Sequence, residues 1–323
     1  MYDALCLKKD FEARGDGETD DRKAILKWWK EGMDSGLPMY MEKGNYLCRD
    51  PLELDIAPAR DNGFKILGVG LRHSVIELAS IDSKTEVPFK IFCSSKNEGK
   101  QDHFYHQLRE IGIVGRRNGP IVQLGEDDLC DPLNSFFLEK SGINNDYRLQ
   151  PREEDLIAAL RVNFACQGVI DIVANCGQQE HLPPEQAHMR RRAGAAIEAR
   201  QMQFTRICGS YSNARHGVRL IDGYSFGNHF DTLNIEEVET GVVIDSDFAR
   251  TNTFTAGTCV GVNGLDFLRG ENNQVNNMNF GLYEECGGQR VLHDIGLVEP
   301  IVMPARVVPY IPRALPKTTP VAA

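Results

Sequence analysis

Short segments of alternating apolar and polar residues, many opened by a glycine, run through most of the chain. In GVRLID and GVVIDS, the first and third residues after the glycine are apolar, namely Val218, Leu220, Val242 and Ile244. Successive side chains of a β-strand point to opposite faces, so these four residues are predicted to face a core and Arg219 to face outward. The period of two predicts many short strands and few helices.

The segments recur at a nearly constant spacing. Glycines stand at positions 119, 142, 168, 194, 217, 241, 264 and 287, with gaps of 23 to 26 residues. Asn228 and Asn252 form a second column, 24 residues apart. Such periods are typical of solenoids, in which each repeat packs on its neighbours. We therefore predict stacked coils of parallel strands, with the asparagines hydrogen-bonded in a ladder inside successive turns.

The segment before the repeats has helix signals. Residues 11–29 read FEARGDGETDDRKAILKWW. Thr19, Asp20 and Asp21 are N-cap residue types, and an apolar face follows them at Ala24, Ile25, Trp28 and Trp29. We predict a helix that ends between residues 32 and 36, followed by an alternating stretch in residues 37–48 and strand residues in 64–78.

The order of these signals resembles a known family. The motif GDGxTDDxxAI, a helix, the turn Gly44-Asn45-Tyr46 and a strand containing Gly68 and Gly70 resemble the opening of pectate-lyase-superfamily β-helices of the phage tailspike type. The resemblance covers residues 8–80 by motif and 100–295 by repeat only. It implies an all-β fold, a right-handed single-stranded parallel β-helix (pectin-lyase-like) with an N-terminal capping helix.

The resemblance also implies roles and boundaries. Asp16, Asp20 and Asp21 are then turn and cap residues rather than catalytic ones. We expect one structural domain, with the cap and first coils in residues 1–80, coils of about 23–26 residues in 81–295, and an extended C-terminal tail in 296–323. Short helical insertions are expected at residues 151–161 and 183–193, where proline precedes acidic and then apolar residues.

Composition excludes several classes of partner. The net charge of -10 does not supply the basic footprint that nucleic acids require. There is no apolar run long enough to span a membrane, and the first thirty residues lack the apolar core of a signal peptide. The nine cysteines show no CxxC or zinc-type spacing, which favours reduced thiols. We predict no metal, no cofactor, no nucleic-acid partner and no membrane insertion.

Two carboxylates are candidate catalytic groups. Asp245 and Asp247 are two residues apart, which places side chains on one face of a strand about 7 Å apart. That separation lies in the range of an inverting glycosidase, although acids exposed at the end of a strand are the alternative. The surrounding sequence VVIDSDFARTN matches no polygalacturonase motif. A lyase would instead use an outward arginine such as Arg219 or Arg250 as its base.

A third set of residues has the chemistry of a glycan-binding surface. Aromatic planes stack on the C–H faces of sugars, and polar neighbours bind the hydroxyl groups. Arginines bind the carboxylate of an acidic sugar through paired hydrogen bonds. The candidates occupy expected turns and outward positions; they are Tyr211, His216, Arg219, Tyr224, His229 and Arg250.

Three classes of function stay open. The first is a spike or adhesin of a phage or of a phage-like particle such as a gene transfer agent, which recognises a capsule or another surface polysaccharide. The second is a polysaccharide depolymerase, with a glycoside hydrolase favoured over a lyase. The third is a structural virion spike that binds no glycan. Because no signal peptide is seen, we expect synthesis in the cytoplasm and a final location on a virion or virus-like particle. The tailspike resemblance implies a homotrimer and a particle-attachment or adaptor protein as partner.

Overall fold

The computed structural model describes residues 4–57, 63–79, 87–94, 105–115, 120–126, 133–145, 158–176, 194–221, 223–236 and 240–246, and shorter stretches up to residue 294. Within them lie two helices, α1 (Leu7–Phe11) and α2 (Arg22–Ser35). The strands are β1 (Leu5–Cys6), β2 (Asp16–Asp20), β3 (Met39–Tyr40), β4 (Gly44–Cys48), β5 (Leu52–Asp55), β6 (Lys65–Leu67), β7 (Ser74–Leu78), β8 (Phe89–Phe92), β9 (His106–Arg109), β10 (Gly112–Gly115), β11 (Val122–Leu124), β12 (Leu133–Asn134), β13 (Phe136–Asn145), β14 (Leu160–Val162), β15 (Ala165–Cys166), β16 (Val169–Asn175), β17 (Ala195–Ala199), β18 (Met202–Gln203), β19 (Arg206–Ser212), β20 (His216–Ile221), β21 (His229–Glu236), β22 (Thr240–Asp245), β23 (Thr253–Thr255), β24 (Thr258–Val260), β25 (Phe267–Arg269), β26 (Asn277–Asn279), β27 (Leu282–Glu284) and β28 (Leu292–Asp294).

The strands form three sheets with parallel pairing. Sheet A has 16 strands, sheet B has nine strands from β5 to β28, and sheet C contains β12, β15 and β18. From β13 to β20 the chain visits sheets A, B and C in turn and then returns to sheet A one strand further along. We call one such passage a coil. The predicted all-β architecture of stacked parallel strands is confirmed at this level.

Sheet A has two branches that share its long central strands. One branch contains β1, β3, β6 and β9, and the other contains β2, β4, β7 and β10. The first half of β13 pairs with β9 and its second half pairs with β10. The branches continue together through β16, β19 and β21 and separate again into β23 and β24. Sheet A therefore presents two outward faces, one on each branch.

The coils differ in length. The prediction that the recurring glycines mark one position in each coil is therefore wrong. Arg206 pairs with His229, 23 positions later, whereas Val169 pairs with Arg206, 37 positions later. Glycines 217 and 241 lie in sheet B strands, but Gly142 lies in β13 of sheet A. The longer coils contain additional residues between strands, and a recurring glycine therefore does not mark one position in every coil.

The predicted helical insertions lie mostly outside the described residues. This holds for residues 151–157 and 183–193. The end of the first insertion was predicted wrongly, because Leu160–Val162 is strand β14, which pairs with β11 and β17. The division into residues 1–80, 81–295 and 296–323 stays a prediction.

Alternation and capping follow the sequence signals. Val218, Leu220, Val242 and Ile244 are all fully buried. In α2, Ile25, Trp28, Trp29 and Met33 are buried, and the helix ends at Gly36 in the left-handed conformation. The indole N–H groups of the two tryptophans donate to backbone carbonyls, Trp28 to Leu5 at 2.7 Å and Trp29 to Asp55 at 3.0 Å. The predicted helix is confirmed, and it packs against β3, β4 and β5.

The acids before α2 hold the turn together. Asp16 accepts hydrogen bonds from the backbone N–H groups of Thr19 and Glu18, which lower its carboxyl pKa to about 2. The buried Asp21 accepts from the N–H groups of Arg14 and Gly15 at 2.7 and 2.8 Å. Its carboxylate thus fixes the preceding loop. The sequence had predicted Asp21 as a cap residue, but its side chain forms no capping hydrogen bond with the helix.

An internal column of side chains stands at one turn of each coil. In the first coils it is aromatic, with Phe64, His106 and Phe136 stacked at centroid distances of 5.0 to 6.4 Å. In later coils it is polar. The Asn228 side-chain amide donates to Asn252 Oδ1 at 2.9 Å, and Asn228 Oδ1 accepts from the N–H of Thr205 at 3.0 Å. The predicted asparagine ladder is confirmed.

We predict that Asn228→Ala lowers the free energy of unfolding by about 2–4 kcal/mol, because it leaves buried polar groups of adjacent coils without partners. Urea unfolding followed by circular dichroism measures this change. Asn234→Ala is the control, because its amide bonds to Ser210 and Glu236 on the outer face. It should cost less than about 1 kcal/mol. Equal losses in both variants would contradict a special role for the ladder.

Candidate functional site

The turn that precedes each strand of the first branch positions exposed side chains along one edge of sheet A. One residue in each of these turns has a positive φ; these residues are Tyr105, Ser135, Gln167, Phe204, Gly227 and Thr251. The residue after each of them is buried, as His106, Asn228 and Asn252 are. The left-handed residue itself stands at the corner, next to the outward face of the sheet.

Two of these corner residues are exposed aromatic rings. Tyr105 is 68% exposed and Phe204 is 55% exposed. Positive φ is unfavourable for bulky residues, at about 1–3 kcal/mol each, so rings at these positions are unusual. The Phe204 ring packs edge-on against Phe226 at 5.1 Å and lies over Gly227, where a Cβ would be 2.8 Å from it. From Tyr105 to Phe204 there are three strand steps, or about 14 Å.

The outward face beside these rings carries a row of charged and polar groups, which we call the acid strip. It consists of Gln107, Arg109, Glu139, Asp171, Arg206, Cys208 and Asp231. Parallel register places Glu139 opposite Asp171, and Asp171 opposite Cys208. Neighbouring strands are about 4.8 Å apart, so the two carboxylates lie side by side.

Polar contacts order the strip. The Gln107 amide donates to Glu139 Oε2 at 3.0 Å, and Arg206 Nη2 lies 2.7 Å from Asp231 Oδ2. The Asp231 carboxylate raises the pKa of the Arg206 guanidinium, chiefly through this hydrogen bond. The two ends of the strip are thereby held in place, while the Asp171 carboxylate stands between them.

The thiol in the strip is protonated at neutral pH. Burial and the nearby Asp171 carboxylate, which accepts a hydrogen bond from the thiol, together raise the pKa of Cys208 to about 11. A neutral thiol is a poor nucleophile and a poor metal ligand. Among the described residues, no group of three or more histidine, cysteine or acidic side chains has the geometry of a metal site. The chemistry available here is that of carboxylates, two guanidinium groups and an amide.

The second branch continues this face with polar groups that are uncharged except for one glutamate. This amide strip contains Asn144, Asn175, Ser210, Ser212, Asn234 and Glu236. The Asn234 amide donates to Glu236 Oε1 at 2.6 Å, and Asn213 donates to Asn175 Oδ1 at 3.1 Å. The branches meet where Lys140 and Thr232 have positive φ and the pairing register shifts. Amides and hydroxyls in a row match the alternating donors and acceptors of a sugar chain.

The residues predicted for glycan binding are distributed over several surfaces. Tyr211 lies in β19, not in a loop, and is fully buried, which corrects its assignment to an exposed position. It shares the inward alternation of Ile207, and its hydroxyl donates to the carbonyl of Cys208 at 2.6 Å. His229 is exposed at the start of β21 and pairs with Arg206, so it borders the acid strip. Tyr224 is exposed in the turn before β21.

Other predicted residues belong to sheet B. His216 and Arg219 lie in β20. The nearly buried Glu198 carboxylate lies 3.9 Å from Arg219 Nη1 and 3.0 Å from Arg161 Nε. Asp245 ends β22, also in sheet B. The side chain of Asp245 and the whole of Asp247 and Arg250 are outside the described residues, so their catalytic and binding roles stay predictions.

Sequence reasoning missed the central residues of the strip. Glu139 and Asp171 are single acids within the apolar segments FFLEK and VIDIV. A lone polar residue at an outward position of a strand was the available signal. It did not identify a pair, because the two residues are 32 positions apart and become neighbours only in the observed register.

Comparisons with known proteins identify no family. No protein-family model matches the chain. No curated protein matches it. Neither described helix has the length and apolar character of a membrane-spanning segment.

Several solved structures resemble the chain in outline. Pre-mature gene product 12 of bacteriophage phi29 has a TM-score of 0.40 and 16% identity, over 81% of this chain and 34% of that chain. Geobacillus virus E2 ORF18 has a TM-score of 0.37 and 13% identity, over 87% and 61%. The Streptococcus pneumoniae surface protein and adhesin PfbA has a TM-score of 0.33 and 12% identity, over 88% and 98%. The chain spans about a third of the phi29 protein and less than two thirds of the Geobacillus virus protein. These likenesses assign no function to it.

We predict that Asp171→Asn increases the alkylation rate of Cys208 by iodoacetamide at pH 8 by about 3- to 10-fold, because removing the adjacent negative charge lowers the thiol pKa. Peptide mass spectrometry measures the rate for each cysteine. Cys166 is the internal control, because burial alone raises its pKa. An unchanged rate at Cys208 would show that the Asp171 carboxylate does not face the thiol.

Proposed function

We propose that this chain is a right-handed single-stranded parallel β-helix that recognises a bacterial surface polysaccharide along the outward face of sheet A. The observation that carries this proposal is the alignment of the acid strip with two exposed aromatic rings. Carboxylates and a guanidinium bind sugar hydroxyls, while aromatic planes contact the C–H faces of the rings. All of these groups occur together on one edge of one sheet.

The shape of the face supports a polymeric ligand. From β9 to β21 the acid strip extends over four strand steps, or about 19 Å. Its groups repeat at the spacing of the coils, so a linear chain of sugars meets similar chemistry at each step. The strained backbone at Tyr105 and Phe204 further supports a binding role, because sparsely populated conformations of bulky residues concentrate at functional positions.

The biological setting is part of the proposal. We infer that the protein is a spike or adhesin at the surface of a phage or of a phage-like particle such as a gene transfer agent. It would act as a homotrimer and would attach to the particle directly or through an adaptor protein. The support for these statements is the tailspike-like motif in residues 8–80 and the stacked-coil architecture.

A depolymerase is the second candidate, and one observation favours it. Glu139 and Asp171 are paired in register on adjacent strands, and their spacing of about 5 Å approaches the carboxylate separation of retaining glycosidases. In such an enzyme one carboxyl group attacks the anomeric carbon and the other donates a proton to the departing oxygen. Asp245 and Asp247 stay an alternative pair for the inverting reaction.

Retention of capsular or lipopolysaccharide extracts from candidate hosts tests glycan recognition. We expect immobilised protein to retain its cognate polysaccharide, and Phe204→Ala and Tyr105→Ala each to weaken binding by about 3- to 10-fold through loss of ring contacts. Leu37→Ala removes an exposed apolar side chain next to the capping helix and should change nothing. Equal retention by all variants would exclude this face as the binding surface.

New reducing ends in the same incubations distinguish binding from cleavage. A pure adhesin releases none. A hydrolase releases them, and Asp171→Asn or Glu139→Gln should then lower the rate by at least about 100-fold while retention persists. Asp34→Asn, on the exposed surface of α2, is the control. If cleavage survives both strip variants and is abolished by Asp245→Asn or Asp247→Asn, the catalytic pair lies near the end of β22.

A further inference from the structure

A groove lies on the second branch of sheet A, at its N-terminal end and away from the acid strip. It has a volume of about 420 Å³ and crosses the neighbouring strands β4, β7 and β10. Its lining residues are Lys43, Gly44, Asn45, Arg72, His73, Val75, Glu77 and Val114. Val114 pairs with Asn144, the first residue of the amide strip. We call this depression the N-terminal groove.

The loop that carries Arg72 and His73 is rigidly built. The N–H groups of His73 and Ser74 both donate to the carbonyl of Gly70, at 2.9 and 3.0 Å. The buried Ser74 hydroxyl accepts from the N–H of Val69 and donates to the carbonyl of Met41. A Cβ at Gly112 would lie 2.1 Å from the Leu71 carbonyl oxygen, so the loop sits directly on β10. The groove wall is therefore fixed before any ligand arrives.

The charges in the groove are mostly positive. In the described part of the chain, neither Lys43 nor Arg72 forms an ion pair, although the protein as a whole has a net charge of -10. Glu77 is the acidic lining residue, and its carboxylate accepts a hydrogen bond from the Asn45 amide at 2.6 Å. Two cations beside a single, hydrogen-bonded carboxylate leave a local excess of positive charge.

The Asn45 amide holds the carboxylate of the groove in place. Its N–H group donates to Glu77 Oε2 at 2.6 Å, and its Oδ1 is buried below the groove surface, where solvent does not reach it. Lys43 and Arg72 are exposed. A site with a guanidinium and an ammonium group matches a small molecule that has an anionic group.

We propose that the N-terminal groove binds an anionic sugar unit, with its charged group on Arg72 and Lys43. The inference rests on the proposed function and deepens it, because it assigns the glycan an acidic repeat. The anionic group is a carboxylate, as in a uronic acid, or a phosphate; both accept paired hydrogen bonds from an arginine. Attraction to an exposed cationic site falls with ionic strength.

The test uses monosaccharides, so that it does not depend on finding the cognate polymer. Saturation-transfer NMR at low salt compares galacturonate with galactose, which differ in the carboxylate, and inorganic phosphate is added as a competitor. We expect galacturonate to bind, galactose to bind at least about fivefold more weakly, and Arg72→Gln and Lys43→Gln each to reduce galacturonate binding by at least about fivefold. Displacement by phosphate at lower concentration than free galacturonate would identify phosphate as the preferred anion.

Lys27→Gln is the matched control, because it removes one exposed positive charge from helix α2, which contributes no residue to the groove lining. It should leave galacturonate binding unchanged. The proposal for the groove would be overturned if galactose and galacturonate bound equally well. It would also be overturned if Arg72→Gln, Lys43→Gln and Lys27→Gln reduced galacturonate binding by the same amount. Phe204→Ala could weaken polysaccharide retention while Arg72→Gln changes neither retention nor galacturonate binding. That result would reject the groove as a binding site and would leave glycan recognition on the acid strip supported. Galacturonate binding that depends on Arg72, with no polysaccharide retained, would support the groove and count against the proposed function.

Discussion

Parallel hydrogen bonding between successive coils is the constraint on which the rest of the structure depends. Each strand of sheets A and B takes its neighbours from the coils before and after it, so a residue is always stacked on the equivalent residue one coil away. Inward positions must therefore be filled by side chains that pack on or bond to one another. Phe64, His106 and Phe136 satisfy this by ring contacts, and Asn228 and Asn252 satisfy it by amide hydrogen bonds.

The same constraint creates the candidate site on the outside. Side chains that alternate outward are brought into rows without any dedicated loop, which is how Glu139, Asp171 and Cys208 become neighbours. The turn before each strand adds a corner residue at a constant place, and in two coils that residue is an exposed aromatic ring. A row with polar groups on its surface and rings at its edge follows the coil axis, which is the geometry that a linear polymer requires.

Local signals made part of this fold predictable. Helix α2 has an apolar stripe and a C-terminal glycine, so Ile25, Trp28 and Trp29 were correctly placed in the core. The Asn228 and Asn252 ladder was predictable because those coils have 24 residues and no insertion. The short helix α1 was not predicted, since five residues contain too little periodicity to be recognised.

Long-range register was the part that local signals could not supply. The coil from Val169 to Arg206 has 37 residues. These two residues are neighbours in the sheet, but the glycine spacing did not reveal how far apart they are in the sequence. Tyr211 was expected in a turn between the repeats that begin at Gly194 and Gly217, yet it lies in a strand whose alternation turns its ring inward. The pairing of Glu139 with Asp171 depends on the same unknown register, so the strip could be recognised only from the structure.

Carboxyl footprinting tests most directly whether the outward face of sheet A is the glycan-binding surface. The protein is labelled with carbodiimide and glycine ethyl ester, with and without a retained polysaccharide, and each carboxylate is quantified by peptide mass spectrometry. Binding to this face predicts protection of Glu139, Asp171 and Asp231, with Asp34 and Asp50 of the exposed cap region labelled equally in both samples. Unchanged labelling of the three acid-strip carboxylates at saturating polysaccharide would contradict it.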